Sequence, residues 1–120
     1  MNKIFLAASI TALAATSVAA ETTFCQFDRV MWTDQTIEKA DWDVRVDHAN
    51  GAAQISLIGG GSYTGKIAAR NRGAEIVFAT ATSIETMTVS PSGETQWMID
   101  FQDGQKMAYF GNCGAFNGVE

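Results

Sequence analysis

The chain is poor in the residues on which most enzymatic and metal chemistry depends. Its 120 residues include one histidine, one proline and two cysteines, and eight basic side chains stand against thirteen acidic ones. A lone histidine, His48, cannot complete the usual zinc sets, which draw on several His and Cys ligands. No Ser lies in a Gly-x-Ser-x-Gly elbow and there is no Cys-x-x-Cys pair. The run Gly59-Gly60-Gly61-Ser62 lacks the lysine and the following helix of a phosphate loop, so it reads as a hairpin connection. The shortage of basic residues argues against nucleic acid, whose phosphates need a positive footprint. It equally disfavours anionic lipid surfaces. No catalytic set, metal site or cofactor site is expected, and the chain is read as a non-enzyme.

A sustained apolar run occurs only at the start. Met1 to Ala20 has the layout of a secretory signal peptide: Lys3, then the apolar stretch from Ile4 to Ala15, then Ser17-Val18-Ala19-Ala20 for cleavage after Ala19 or Ala20. The run is short for a membrane span and has no basic stop-transfer flank. No Cys stands at the cleavage point to take a lipid anchor. The expectation is therefore a periplasmic or secreted protein without stable membrane insertion, with one domain over 21–120. Removing Lys3 leaves seven basic against thirteen acidic side chains, a net charge of about −6. Such a surface suits a basic protein partner.

The two cysteines, Cys25 and Cys113, lie near the two ends of that domain. In an exported protein an even count favours a disulfide over a redox or metal role. Closing so long a loop stabilises the fold by about 4–5 kcal/mol in the chain-entropy account.

What the chain does have is a two-residue rhythm broken by turn signals roughly every ten residues. The signals are Asn50-Gly51, Gly59-Gly60-Gly61, Asn71-Arg72-Gly73, Ala81-Thr82-Ser83, Pro91-Ser92-Gly93 and Asp103-Gly104. That spacing belongs to an antiparallel all-β meander. Phe24 to Trp32 reads as the first strand. Cys25, Phe27, Arg29 and Met31 share one of its faces, and neither face is purely polar. Thr33 to Asp41 breaks the alternation, and reads either as a loop or as a single helical turn capped by Asp34. Trp42, Val44, Val46 and His48 then form one face of a strand, with Asp43, Arg45 and Asp47 on the other. Gly65, in mid-strand, marks a bend or bulge. Met87 and Val89 point inward with Glu85 at the rim. Thr95, Trp97, Ile99 and Phe101 make the clearest buried row. Gly114 to Glu120 reads as a frayed tail. About eight strands follow, and closing them into a barrel removes two exposed edges and brings the cysteine strands together. A two-sheet β-sandwich with the bridge joining the sheets is the alternative.

Few residues invite a functional assignment. His48 lies on an apolar face, as an imidazole with a satisfied hydrogen bond would. Asp34, Glu38, Asp41, Asp43 and Asp47 are close in sequence but lack calcium-loop spacing. Lys66, Arg70 and Arg72 read as the wet face of one hairpin. Most aromatics belong in the core. Trp32 and Trp42, however, flank the irregular segment, where one of them could meet a ligand or partner at a barrel mouth.

The stretches Gly60-Gly61-Ser62-Tyr63 and Asn71-Arg72-Gly73-Ala74-Glu75 resemble two loops of the small exported inhibitors of C-type lysozyme, membrane-bound or periplasmic, which are eight-stranded barrels of this length. The resemblance covers about a quarter of the mature chain. It implies a protein-binding role and adds Ser62 and Tyr63 to the candidate binding residues Trp32 and Trp42. Two readings follow: a non-enzymatic binding module acting on a protein or cell-envelope partner, inhibitor-like in one version, or a carrier holding a small apolar ligand inside the barrel. A membrane-embedded barrel is disfavoured by the polar outward faces at Asp43, Arg45 and Asp47. Intact-mass measurement of the exported protein is expected to place its first residue at Ala20 or Glu21, and a chain that keeps the first twenty residues overturns the leader assignment.

Overall fold

A computed structural model describes residues 20–119, so the stretch read as a signal peptide lies outside the described residues except for Ala20. Eight strands follow one another: β1 (Glu21–Met31), β2 (Ile37–Ala49), β3 (Ala52–Leu57), β4 (Ser62–Arg70), β5 (Gly73–Ala79), β6 (Ser83–Val89), β7 (Glu94–Phe101) and β8 (Lys106–Cys113). Each pairs antiparallel with its neighbour, and β8 returns to β1, closing the barrel. No helix occurs among the described residues. Closure resolves the choice between barrel and sandwich.

Two tight turns follow directly from side-chain chemistry. Asn50-Gly51 and Asn71-Arg72 both adopt positive φ at each position, the conformation a two-residue hairpin requires; Asn and Gly tolerate it, and Arg72 adopts it without that tolerance. These turns, the Ser90–Gly93 connection and both described chain ends lie at one end of the barrel, called here the lower end. The β1–β2, β3–β4, β5–β6 and β7–β8 connections lie at the other, the upper end.

Cys25 pairs directly with Cys113 across the β1–β8 seam, and the two are disulfide-bonded. Both are buried, which fits an oxidising compartment. The seam is irregular. Register shifts between Phe27 and Arg29 against both neighbours. The extra residue moves the inward set from Thr23, Cys25 and Phe27 to Val30, leaving Asp28 and Arg29 both exposed. The expected face of Cys25, Phe27, Arg29 and Met31 is therefore wrong beyond Phe27. A bulge resets which side chains point inward, and strict alternation cannot anticipate it.

Three further expectations are corrected. Thr33–Thr36 is a tight turn and not a helical one, and β2 begins at Ile37, five residues before the alternation becomes clean. Asp34 does bond a backbone N–H, that of Thr36, but it closes a turn in which Gln35 has positive φ. Gly65 carries no bulge: it pairs in register with Ala53. Its lack of a side chain serves close approach, since a Cβ there would lie 2.5 Å from the Val77 carbonyl oxygen. The C-terminal tail is docked. Gly114 N–H donates to Phe24 O at 3.0 Å, Thr23 Oγ1 donates to Ala115 O at 2.8 Å, and Phe116 and Val119 pack against the core.

The barrel interior is filled by rings. Trp97 is fully enclosed, with Phe27 at 5.5 Å, Tyr109 at 5.8 Å and Phe78 at 5.9 Å between ring centroids. Around them lie Val44, Val46, Ile55, Ile76 and Met87, all fully buried. Gly111 lets β8 approach β1, because a Cβ there would overlap the Gln26 carbonyl oxygen and the Phe27 Cα. Gly111→Ala is expected to cost about 3 kcal/mol in urea unfolding. Gly61→Ala, where a Cβ meets nothing within 4 Å, should change stability by less than about 0.5 kcal/mol.

Candidate functional site

Neighbouring strands part company at the upper end. β2 outruns β3, whose pairing stops at Val44↔Leu57. β4 pairs with β5 only from Lys66 onward. The barrel therefore splays into a mouth, and aromatic side chains meet there. Trp42 points inward with Val44 and Val46 but lies at the mouth and stays 39% exposed. Its ring stacks on Tyr109 at 4.5 Å and meets Trp97 edge-on at 6.4 Å. Tyr63 stacks on Phe78 at 5.0 Å on the opposite wall.

Beneath this aromatic roof sits Glu85. It is 7% exposed, enclosed in the wall and not at the rim as its position in the strand implies. Its carboxylate accepts from Trp97 Nε1 and from Ser83 Oγ, each at 2.8 Å. Ser83 Oγ lies 2.7 Å from Thr80 Oγ1, which extends the polar chain to the β5–β6 turn. These donors replace the water that a buried carboxylate would otherwise need. The alternation Ser83, Glu85, Met87, Val89 was the signal for this placement, since all four share the inward face.

All four candidate residues stand at the upper end. Trp32 opens the β1–β2 turn and donates from Nε1 to Glu38 at 2.7 Å. Ser62 and Tyr63 begin β4, directly after the β3–β4 hairpin. The structure brings Trp42 against Tyr109, which the sequence had placed in the core. Ser62 is exposed, and no side-chain hydrogen bond holds it among the described residues.

Several large apolar side chains crown the same end. Of the seven that remain exposed among the described residues, Trp32, Ile37, Trp42, Ile58 and Ile84 lie there, leaving only Phe24 and Val77 on the flanks. A groove of about 360 Å³ runs between β2 and the β3–β4 hairpin, lined by Asp41, Trp42, Asp43, Leu57, Ile58, Gly59 and Gly60. Asp41 accepts from Gln26 Nε2 at 2.9 Å, which fixes that carboxylate on the groove's margin. Asp34, at the tip, is held below the usual carboxylate range by hydrogen bonds from the backbone and side chain of Thr36.

The other sequence candidates are dispersed. Asp47 lies toward the lower end, bonded to Thr22 Oγ1 at 2.5 Å and paired with Arg45 at 3.0 Å. Among the described residues no three His, Cys, Asp or Glu side chains come close enough to hold a metal ion. Arg70 of the basic hairpin is paired with Glu75 at 3.4 Å. His48 is buried near the lower end, 5.7 Å from the Phe116 ring. The expected hydrogen bond is missing at Nε2, which has no partner among the described residues. The docked tail, unforeseen in the sequence, places the Phe116 ring beside that imidazole.

The two stretches that resemble lysozyme inhibitors are also separated. Gly60–Tyr63 lies at the upper end and Asn71–Glu75 at the lower, with the length of β4 between them, roughly 25–30 Å for nine residues. Compared with protein families, curated proteins and solved structures, the chain shows no match to any of them.

Burial raises the Tyr109 phenol above its ordinary value near 10, and the negative charge of Glu85 adds to the effect. The folded state thus holds its proton more tightly than the unfolded chain. That stabilisation is complete below about pH 10 and is lost as pH rises through the folded value. Alkaline denaturation followed by circular dichroism should show this loss, and Tyr109→Phe should flatten the alkaline limb.

Proposed function

We propose that the chain is an exported, non-enzymatic binding module whose upper end docks a protein or cell-envelope partner. The observation that carries this reading is that Trp32, Ile37, Trp42, Ile58 and Ile84 are all exposed at the same end of the barrel. Leaving such side chains in water costs roughly 1.5–3 kcal/mol for each that a partner would cover fully. Large apolar side chains left exposed at one end of a small domain point to an interaction site there. The rim carries Asp34, Glu38, Asp41, Asp43 and Asp103 against Lys39 and Lys106, which favours a basic partner.

The packing of Phe27, Phe78, Trp97 and Tyr109 across the centre supports recognition at the surface over carriage of an apolar molecule inside. The inhibitor version draws less support, because its two resembling stretches face opposite ways. Stoichiometric addition of the protein to a C-type lysozyme tests that version alone, and unchanged turnover removes it. For the docking reading, the immobilised oxidised protein should retain a partner from envelope extract. Trp32→Ser/Ile58→Ser should reduce retention at least about tenfold. Val77→Ser, on the flank, should leave it unchanged. Equal retention by the double variant and the parent chain overturns the upper end as the docking surface.

A further inference from the structure

Among the described residues, strand β2 has a seven-residue stretch with no β3 neighbour and a groove beside it. On one side its first residues pair with β1: Ile37 with Met31, Glu38 with Val30, Lys39 with Arg29 and Trp42 with Phe27. On the other side β3 reaches only as far as Val44↔Leu57, and the last rung is the Ile58 N–H donating to Asp43 O at 3.0 Å. Beyond that rung no strand lies against β2 among the described residues. None of the side chains from Ile37 to Asp43 is fully buried; Ala40 and Trp42 are the most covered of them. The segment is extended, and about 23 Å long at the usual rise per residue. It offers a row of backbone donors and acceptors to whatever extended chain comes beside it.

We infer that this edge accepts an extended, basic segment of a partner protein as an added strand. The inference rests on the upper end being the docking surface and specifies how docking occurs there. Main-chain pairing along Ile37–Asp43 would supply affinity, and the neighbouring groove would supply selectivity, as in other strand-addition complexes. The groove opens where β3 leaves β2, so a strand added to β2 runs into it past Trp42 and Ile58. An apolar side chain of the added segment meets Trp42, Leu57 and Ile58 there. A lysine or arginine one residue on reaches Asp41 or Asp43.

Charge selects the occupant. The edge carries Glu38, Asp41 and Asp43 against Lys39 alone, a net of two negative charges. A second copy pairing edge to edge would bring two such acidic edges together, which disfavours it. A basic strand neutralises the same charges. Lys39, and the register shift opposite Asp28, are also devices by which exposed edges resist indiscriminate pairing.

The test uses the exported oxidised protein, labelled with nitrogen-15, and blocked seven-residue peptides of alternating valine and lysine. At saturation the lysine peptide should slow hydrogen exchange of the Ile37–Asp43 amides at least about tenfold and shift the Trp42 indole signal. A valine–glutamate counterpart should bind at least about tenfold more weakly. Of two N-methylated copies of the lysine peptide, one methylated at the valines and one at the lysines, the copy whose methyls face the edge should lose binding. Movement of Trp42 and Ile58 signals without amide protection overturns strand addition while leaving the docking surface in place. Full binding by both methylated copies overturns it as well. Protection that grows with protein concentration and needs no peptide would assign the edge to a second copy of this chain, against the inference. Failure of the docking surface itself is read separately, in the retention experiment with Trp32→Ser/Ile58→Ser.

Discussion

Everything else in the molecule depends on the first strand pairing with the last. Without β1 against β8 the meander is an open sheet with two long edges, and its inner face has nothing to close around. The seam joins residues nearly a whole domain apart, so forming it costs more chain entropy than any of the local hairpins. The special features of the chain collect along it. Cys25 faces Cys113 and the bond between them limits how far the unfolded ends can separate. Gly111 removes the side chain that would hold β8 away from β1. The register shift after Phe27 adds local twist where the strands must curve to meet. Phe27, on β1, packs its ring against Trp97 and Tyr109, on β7 and β8, so closure and the aromatic core form together.

How much of this could be read from residues alone follows from what each feature depends on. The strands with clean alternation, such as Trp42–His48 and Thr95–Phe101, were legible because one face is wet and the other dry. The turn at Asn50-Gly51 was legible because few residue types tolerate its backbone angles, whereas at Asn71-Arg72 only Asn71 favours the positive φ that Arg72 also adopts. The disulfide was legible because only one pairing exists. What escaped depended on neighbours distant in sequence. The mixed faces of Phe24–Trp32 reflect a bulge that exists only against β2 and β8. Gly65 is required by β5 and not by β4. Glu85 has the correct parity for the interior, yet its burial rests on the indole of Trp97 twelve residues on. The tail docks because Thr23 and Phe24, at the other end of the chain, supply its hydrogen-bond partners. Of the candidate binding residues, Trp32 and Trp42 were found by their position beside an irregular segment, and Ser62 and Tyr63 by a family resemblance. Their convergence on one end is a property of the up-and-down topology, which sends every second connection the same way.

The two ends of the barrel are built to different standards. The lower end is drawn tight by two-residue hairpins, the disulfide and the docked tail. Its cost is a histidine whose Nε2 finds no partner among the described residues. The upper end has longer connections, parted strands and apolar side chains facing water. In a domain of this size, where net stability is a small difference between large terms, that asymmetry matters. A fold can leave one end loosely covered only if the closure of the other end and the central ring cluster already supply enough stability. The disulfide seam therefore has a functional consequence: by making the lower end and core sufficient on their own, it frees the upper end from having to bury its own apolar surface.

The polar chain under the mouth fits the same division. A carboxylate inside a small barrel is costly unless donors surround it, and Trp97, Ser83 and Thr80 provide a connected set. Trp97 has two tasks, since its ring organises the core while its N–H holds Glu85. Tyr109 links the two layers: it packs against Trp97 below and carries Trp42 on its face above. Trp42 in turn lies on the first stretch of β2 to lose its β3 neighbour. A strand added along that edge would therefore act on a residue stacked directly on the core. The position of the Trp42 ring is set by the same aromatic stack that holds the barrel together, so the proposed docking edge would be pre-organised by the core while its own outer side stays unpaired among the described residues.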